Sequence, residues 1–351
     1  MADFKKTIIE LNGGKGRAWL ENLNFSVNKL AEEWNLSALR PFQNLTFNYV
    51  LAGFQNETPI VLKIGLKSEL LKKEAEGLKF FKNFGAAELL NFSLNLPDSS
   101  NNISPRQNSL NGNNILLKNP LSCISLPQNF SVNTSLQENS FGSAILLKKY
   151  SPGTSLMELL KTPFDESFPP VQCFTNREQE AIRINASIIK KLHSAPQIPN
   201  TFLSLEDLLH PLFQNYAIPE KFLKKARSIA NYLIKTTTQR IVMHGDLHPD
   251  NIIRDSDTWK TIDPSPVVGD PVYELASFMI NPIDKLWKYK NAKEILQNRA
   301  DEFSKILNLN SERILQWSFV KSVLCLIWTI NLSDNNRREI AELFDHVVPV
   351  L

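Results

Sequence analysis

The sequence predicts an α+β chain in two lobes, a small antiparallel-sheet lobe over residues 1–150 and a larger, mainly helical lobe over residues 151–351. Three observations carry this reading. Strand-like runs with a turn between them lie in the first part of the chain, apolar residues recur at helical spacing from Asn176 onward, and Ser151-Pro-Gly153 is a turn signal fit to join the two. At 351 residues and 42% hydrophobic content, the chain is long and apolar enough to bury sizeable cores.

Charge and cysteine usage narrow the function classes. The 39 basic and 36 acidic residues leave a formal net charge of +3, which gives no electrostatic case for a nucleic acid or an anionic membrane as partner. Cys123, Cys173 and Cys325 are widely spaced, without a CxxC pair, and suit a reducing compartment. The N-terminal MADFKKTIIELNGG lacks the apolar core of a signal peptide, and no apolar run approaches the roughly 20 residues of a membrane span. The most apolar stretch, Val320 to Ile330, is interrupted by Lys321 and reads as a buried helix. The expectation is a soluble cytoplasmic protein.

Along the first lobe, Leu45 to Gly53 and Pro59 to Ile64 read as strands of a hairpin that ends in Ile60-Val-Leu-Lys63. Ser68 to Phe84 reads as a helix whose Leu71, Leu78 and Phe81 share a face with Glu74. Ile145-Leu-Leu reads as a further strand. Between about residues 97 and 142 the composition turns to Asn and Ser without periodicity, which predicts an inserted, poorly ordered surface segment. In the second lobe, Ala181, Ile188, Ile189 and Leu192 mark a helix closed by His193-Ser-Ala-Pro196, with further helices at Leu205 to Ala217 and Glu220 to Thr236. Short strands at Ile241–Met243, Asn251–Ile253 and Thr261-Ile262 interrupt this pattern, and helices resume from Val272.

The interruption carries the chemistry. In His244-Gly-Asp-Leu-His-Pro-Asp-Asn251, Asp246 and Asn251 flank a turn containing Pro249, so a tight loop can aim both side chains at one place. Phosphoryl transfer needs a carboxylate to take the acceptor hydroxyl's proton and oxygen ligands to hold magnesium against nucleotide phosphates. Asp246 fits the first role, and Asn251 with Asp263, at the end of the strand Thr261-Ile262, fits the second. An isolated Asp is otherwise a common turn or helix cap.

HGDLHPDN followed by IDP resembles the catalytic loop and metal-binding Asp of the aminoglycoside phosphotransferases, relatives of the protein kinases. The run Ile262-Asp-Pro-Ser-Pro-Val-Val-Gly-Asp-Pro-Val-Tyr-Glu274 is similar to the signature of their streptomycin kinase and hydroxyurea phosphotransferase branch. The resemblance implies a protein-kinase-like fold and an ATP-dependent kinase, with Asp246 as catalytic base, Asn251 and Asp263 as magnesium ligands, and His244 and Asp270 as supports of the loop. It also extends to Lys72–Leu78, Leu146–Thr154 and, loosely, Trp317–Trp328, and by analogy the backbone from Lys149 to Ser151 would contact adenine. His248 falls beside Asp246 and is read as structural or substrate-positioning, because the base position is taken.

Such a kinase also needs a strand lysine for the nucleotide phosphates and a helix carboxylate to orient it. Lys63 closes a strand, and of Glu69, Glu74 and Glu76 only Glu74 lies on the apolar stripe, where a carboxylate requires a partner. Two departures stand out. No glycine-rich phosphate loop is present in the hairpin, Asn44-Leu-Thr-Phe-Asn-Tyr49 standing where it would be expected, and Trp328 to Asp334 has neutral residues where streptomycin kinases are expected to have acidic ones. Asp250, Glu274 and Asp334 are the candidate carboxylates for a cationic acceptor, although Glu274 equally suits a helix start after Pro271. The expected function is ATP- and magnesium-dependent phosphorylation of a small molecule, with streptomycin or a related aminoglycoside first. A metabolic kinase for an amino alcohol or sugar is the alternative, and a silent nucleotide-binding kinase fold is the alternative of another class.

Overall fold

In a computed structural model of the chain, the described residues are 2–43, 45–96, 142–160, 176–196, 202–330 and 335–349. They divide into two compact units, one holding residues up to 79 with 88–96 and 142–149, the other holding 80–87 and the described residues from 150 onward. Most of the Asn/Ser-rich segment, Cys123, Cys173, Asn44 and Asp334 lie outside the described residues.

The first unit opens with α1 (Ala2–Glu33), a helical segment broken at Gly13, where φ is 57° and ψ −131°. Phe4 and Trp19 would lie over 20 Å apart along one straight helix. Their rings instead meet edge-on at 6.2 Å, so the two halves fold back on each other. Glycine at the corner makes the fold-back possible, since a side chain rarely adopts that φ. The strands β1 (Leu36–Pro41), β2 (Asn48–Gln55), β3 (Thr58–Gly65), β4 (Leu89–Ser93) and β5 (Ser143–Lys148) form an antiparallel sheet in the order β1-β2-β3-β5-β4. The β2–β3 turn is Asn56-Glu57, with Asn56 at φ 53°, tighter than the five-residue turn the sequence suggests. Strand alternation sends Ile60, Leu62 and Ile64 into one cluster with Phe4, Ile8, Trp19, Leu23 and Leu30 of α1. Each such buried side chain contributes about 1.5–3 kcal/mol. Lys63, one residue out of phase, points to the other face, where α2 (Ser68–Phe80) presents Leu71, Glu74, Ala75 and Leu78.

In the second unit, β6 (Pro152–Ser155) and α3 (Met157–Leu160) lead to α4 (Asn176–His193) and β7 (Leu203–Ser204). The helix expected over 205–217 is α5 (Leu205–Leu209) followed by a 3-10 turn, His210–Phe213. Pro211 explains the break, because it lacks the N–H that would continue the α ladder. Next come α6 (Glu220–Lys235), β8 (Ile241–Met243), β9 (Ile252–Asp255), β10 (Thr258–Thr261) and β11 (Val267–Gly269), in two three-stranded sheets ordered β10-β9-β6 and β7-β11-β8. The chain continues through α7 (Ala276–Met279), α8 (Ala292–Leu307), α9 (Ser311–Trp328) and α10 (Asn336–Val347). The apolar stretch from Val320 lies largely in α9, which is buried on every face from Ile314 to Ile327 and packs against α6, α7, α8 and α10. Among the described residues no helix is long and apolar enough to cross a membrane.

Candidate active site

The candidate catalytic residues of the second unit lie between the end of β8 and the residues just after β10. Asp246 follows Gly245, whose φ of 80° and lack of room (a Cβ would sit 2.0 Å from the Ser265 carbonyl oxygen) require glycine. Asn251 closes a 3-10 turn, Pro249–Asn251, and its Nδ2 donates to the Asp246 carbonyl at 2.9 Å. The Asp246 carbonyl also accepts from the His248 N–H, and the Asn251 carbonyl accepts from Ile262 N–H at 3.0 Å. These bonds bring together the three backbone segments that carry Asp246, Asn251 and Asp263. With its nitrogen committed to Asp246, Asn251 has Oδ1 to offer a cation. Asp263 sits in the left-handed region at φ 55°, a conformation that Asp tolerates better than most residues.

Asp246 is buried to 6% exposure, and its Oδ1 has no hydrogen-bond partner among the described residues. A buried carboxylate oxygen left unengaged is the feature a proton-accepting group needs. His248 places Nε2 3.8 Å from Asp246 Oδ2, too far to hydrogen-bond, while its Nδ1 accepts from Asp250 N–H and caps the 3-10 turn. Asp250 is exposed and accepts from Ser155 Oγ at 3.0 Å.

His244 is fully buried. Its Nε2 faces the Ile262 carbonyl at 3.0 Å and must carry the proton, since a carbonyl only accepts, which leaves Nδ1 to receive Asp246 N–H. Burial holds the imidazole below its usual pKa, so the ring is a neutral brace between the two ends of the loop. Asp270 caps the turn Pro271–Leu275 through Val272 N–H, and its other oxygen accepts from Arg313 and from Trp317 Nε1 at 2.7 Å.

Glu274 corrects the expectation that it faces a cationic acceptor. It is 1% exposed, and its two oxygens accept the backbone N–H groups of His244 at 2.6 Å and Gly245 at 3.0 Å, with His193 Nε2 at 3.8 Å. Burial pushes this carboxyl up, but the His193 imidazole at 3.8 Å and the backbone donor at His244 outweigh it and hold the group below its ordinary value. The residue is an anchor of the catalytic loop. Sequence spacing did not reveal this, because the partners are backbone groups 30 positions away.

In the first unit, Lys63 Nζ meets Glu74 Oε2 at 2.8 Å, with both side chains under a tenth exposed. Around the expected adenine contact, Lys149 N–H is bonded to the Pro59 carbonyl and the Ser151 carbonyl accepts from Ser256 N–H. These two backbone groups are therefore already engaged. Asn251 and Asp263 form an oxygen-only donor set, and among the described residues no group of three or more His, Cys, Asp or Glu gathers to hold a metal unaided. That fits magnesium, which takes one or two protein oxygens and completes its shell with water and substrate phosphates.

Residues 136–332 match the family described as aminoglycoside/hydroxyurea antibiotic resistance kinase, more than half of the chain. A streptomycin 6-kinase from Streptomyces griseus is 25% identical over 163 residues, covering 44% of this chain and 52% of that protein. A streptomycin 3''-kinase from Klebsiella pneumoniae is 28% identical over 163 residues, covering 45% of this chain and 60% of that protein. The matched region thus spans little more than half the length of these curated relatives. Among solved structures, a choline kinase from Streptococcus pneumoniae superimposes with a TM-score of 0.57 at 12% identity, covering 93% of this chain and 98% of that one. An aminoglycoside phosphotransferase in complex with ADP and hygromycin B gives 0.55 at 10% identity, covering 91% and 96%. At such identities the likeness speaks for the fold, which is the protein-kinase-like α+β fold. On the sequence match, the chain belongs to the aminoglycoside/hydroxyurea antibiotic resistance kinase family.

Proposed function

We propose that the protein is an ATP- and magnesium-dependent phosphotransferase that acts on a hydroxyl of a small molecule, with streptomycin or a related aminoglycoside as first acceptor and antibiotic inactivation as the outcome. The observation that carries it is the unengaged, buried Oδ1 of Asp246 on a loop fixed by Asn251, His244 and Glu274. Asp246 takes the proton of the acceptor hydroxyl as its oxygen bonds to the γ-phosphorus and the bond to the ADP oxygen breaks. Asn251 Oδ1 and the Asp263 carboxylate would hold magnesium, which when bound neutralises phosphate charge. Lys63, oriented by Glu74, is the ligand offered to the nucleotide phosphates, and backbone near Lys149 and Ser151 the neighbour offered to the base. Catalysis on this reading is positioning and charge neutralisation.

A second acceptor class has a specific observation in its favour. With Glu274 spent on the loop, Asp250 is the one acceptor-carboxylate candidate left among the described residues, a thin complement for a polycation. This favours an amino alcohol or a sugar. Purified protein is to be incubated with ATP, magnesium and streptomycin, beside a panel of other aminoglycosides, amino alcohols and sugars, and the products read by mass spectrometry. Phosphate added to streptomycin by the wild type and not by Asp246→Asn supports the first reading. Transfer to another panel member replaces the acceptor, and nucleotide binding without any transfer points to a silent kinase fold.

A further inference from the structure

Lys321 interrupts the most apolar helix of the chain, and it is fully buried. Desolvating an ammonium costs several kcal/mol, and an apolar side chain of the same volume commonly serves packing as well or better. Part of its surroundings is the loop that carries Asp246. Nζ lies 3.5 Å from the Gly245 carbonyl oxygen, 5.3 Å from the centre of the Tyr273 ring and 5.8 Å from the Trp328 ring. All belong to the second unit. The Gly245 carbonyl is half of the peptide group that leads into Asp246. Gly245 is also the residue of this loop with the greatest intrinsic backbone freedom. Its N–H is held by the Glu274 carboxylate at 3.0 Å. An anion on the amide side and a cation on the carbonyl side therefore fix both peptide planes of the glycine preceding the base.

We infer that Lys321 is a positioning residue for Asp246: from α9 it clamps the Gly245 carbonyl, opposite the Glu274 clamp on the Gly245 N–H, and so sets the direction of the carboxylate. The same two peptide planes also carry the bond from Asp246 N–H to His244 Nδ1 and that from Ser265 N–H to the His244 carbonyl, so the two charges complete a loop that is braced on both sides of Gly245. The two oppositely charged side chains act on the same residue from different elements, which ties the aim of the base to the seating of α9. The Tyr273 hydroxyl belongs to the same surroundings, and burial raises its pKa to about 12 although the charge and hydrogen bonding of Lys321 pull it down. It is therefore neutral and offers the lysine a dipole and a ring face.

The kinetic arm of the test rests on the phosphotransferase reading; the structural arm does not. Lys321→Met removes charge and donor at similar volume, and Lys321→Gln retains a donor. Amide hydrogen exchange is measured over residues 242–251 in full-length protein, together with kcat and the KM for ATP. The clamp predicts faster exchange of the Gly245 and Asp246 amides in the Met variant, a smaller effect in Gln, and a fall in kcat of about a hundredfold, the scale of a 1 Å misplacement, with ATP KM within a fewfold of wild type. Loop exchange equal to wild type in both variants overturns the inference, as does equal damage from Met and Gln, which would mark a packing role. A rise in ATP KM at unchanged kcat also overturns it. If the wild type transfers phosphate to no acceptor, the kinase reading falls while the exchange comparison still decides the clamp. Should the Met variant not fold, the Gln variant carries both readouts.

Discussion

Replacing Glu274 with Gln tests whether the catalytic loop is held as described. The carboxylate accepts two backbone N–H groups, at 2.6 and 3.0 Å. Glutamine keeps one acceptor oxygen and turns an amide N–H toward the other donor, so one charge-assisted bond, worth about 1.5–3 kcal/mol, is lost and a buried N–H is stranded. A net cost of about 3 kcal/mol follows. For a unit of roughly 200 residues this lowers Tm by about 6–12 °C near neutral pH. The pH dependence fixes the cause. A carboxyl held below its ordinary 4.5 in the fold contributes stability that is fully present above that pH and is lost as pH falls through the folded value. The gap between wild type and E274Q should therefore stay constant above pH 4.5 and shrink below it. Thermal melts by circular dichroism across that range measure both. A Tm within about 2 °C of wild type at neutral pH, or a gap that ignores acid, would refute the assignment of Glu274 as an ionised anchor.

Other perturbations have distinct signatures. Lys63→Met leaves the Glu74 carboxylate buried and should cost about 3–5 kcal/mol, which the double variant Lys63→Met, Glu74→Leu largely restores without restoring nucleotide affinity, as denaturant melts and ATP titration would show. Gly245→Ala forces a Cβ onto the Ser265 carbonyl, and Tm should fall more than in a surface Gly→Ala control. Asp270→Asn retains one acceptor for Val272 N–H, Arg313 and Trp317 together, so a loss of about 2–4 kcal/mol is expected, with a change in Trp317 fluorescence. Burial keeps His244 neutral below its ordinary 6.5, so its contribution to stability declines as pH drops beneath that value, and replacing it should flatten the profile there.

The loop was legible in the sequence where its logic is local. Asp246 and Asn251 are close in sequence, so their spacing alone implies a tight turn, and the bond from Asn251 Nδ2 to the Asp246 carbonyl is the geometry that spacing permits. Lys63 and Glu74 were legible for a different reason: a carboxylate on an apolar stripe needs a buried cation, and strand phase supplies one. Glu274 was left between an acceptor carboxylate and a helix start after Pro271; it does lie in the first turn of that 3-10 helix, but only the fold brings the His244 and Gly245 amides to it. The fold-back of α1 left no clear periodic signal, since its two halves bury different stripes on either side of Gly13. Lys321 was visible as an interruption, but its purpose depends on a contact 76 positions away.

The junction at Leu96 and Gly142 has a practical consequence. Leu96 N–H donates to the Gly142 carbonyl at 3.1 Å, so the ends of two described stretches of the first unit are tied by a hydrogen bond. Closure entropy grows only logarithmically with loop length, about 0.6 kcal/mol per doubling. The strands next to these two residues, β4 and β5, pair with each other directly, Phe92 with Ile145 and Ser93 with Ala144. A reporter domain spliced in directly after Leu96 is therefore expected to leave that register intact, because the pairing of β4 with β5 does not depend on the length of chain inserted beside it.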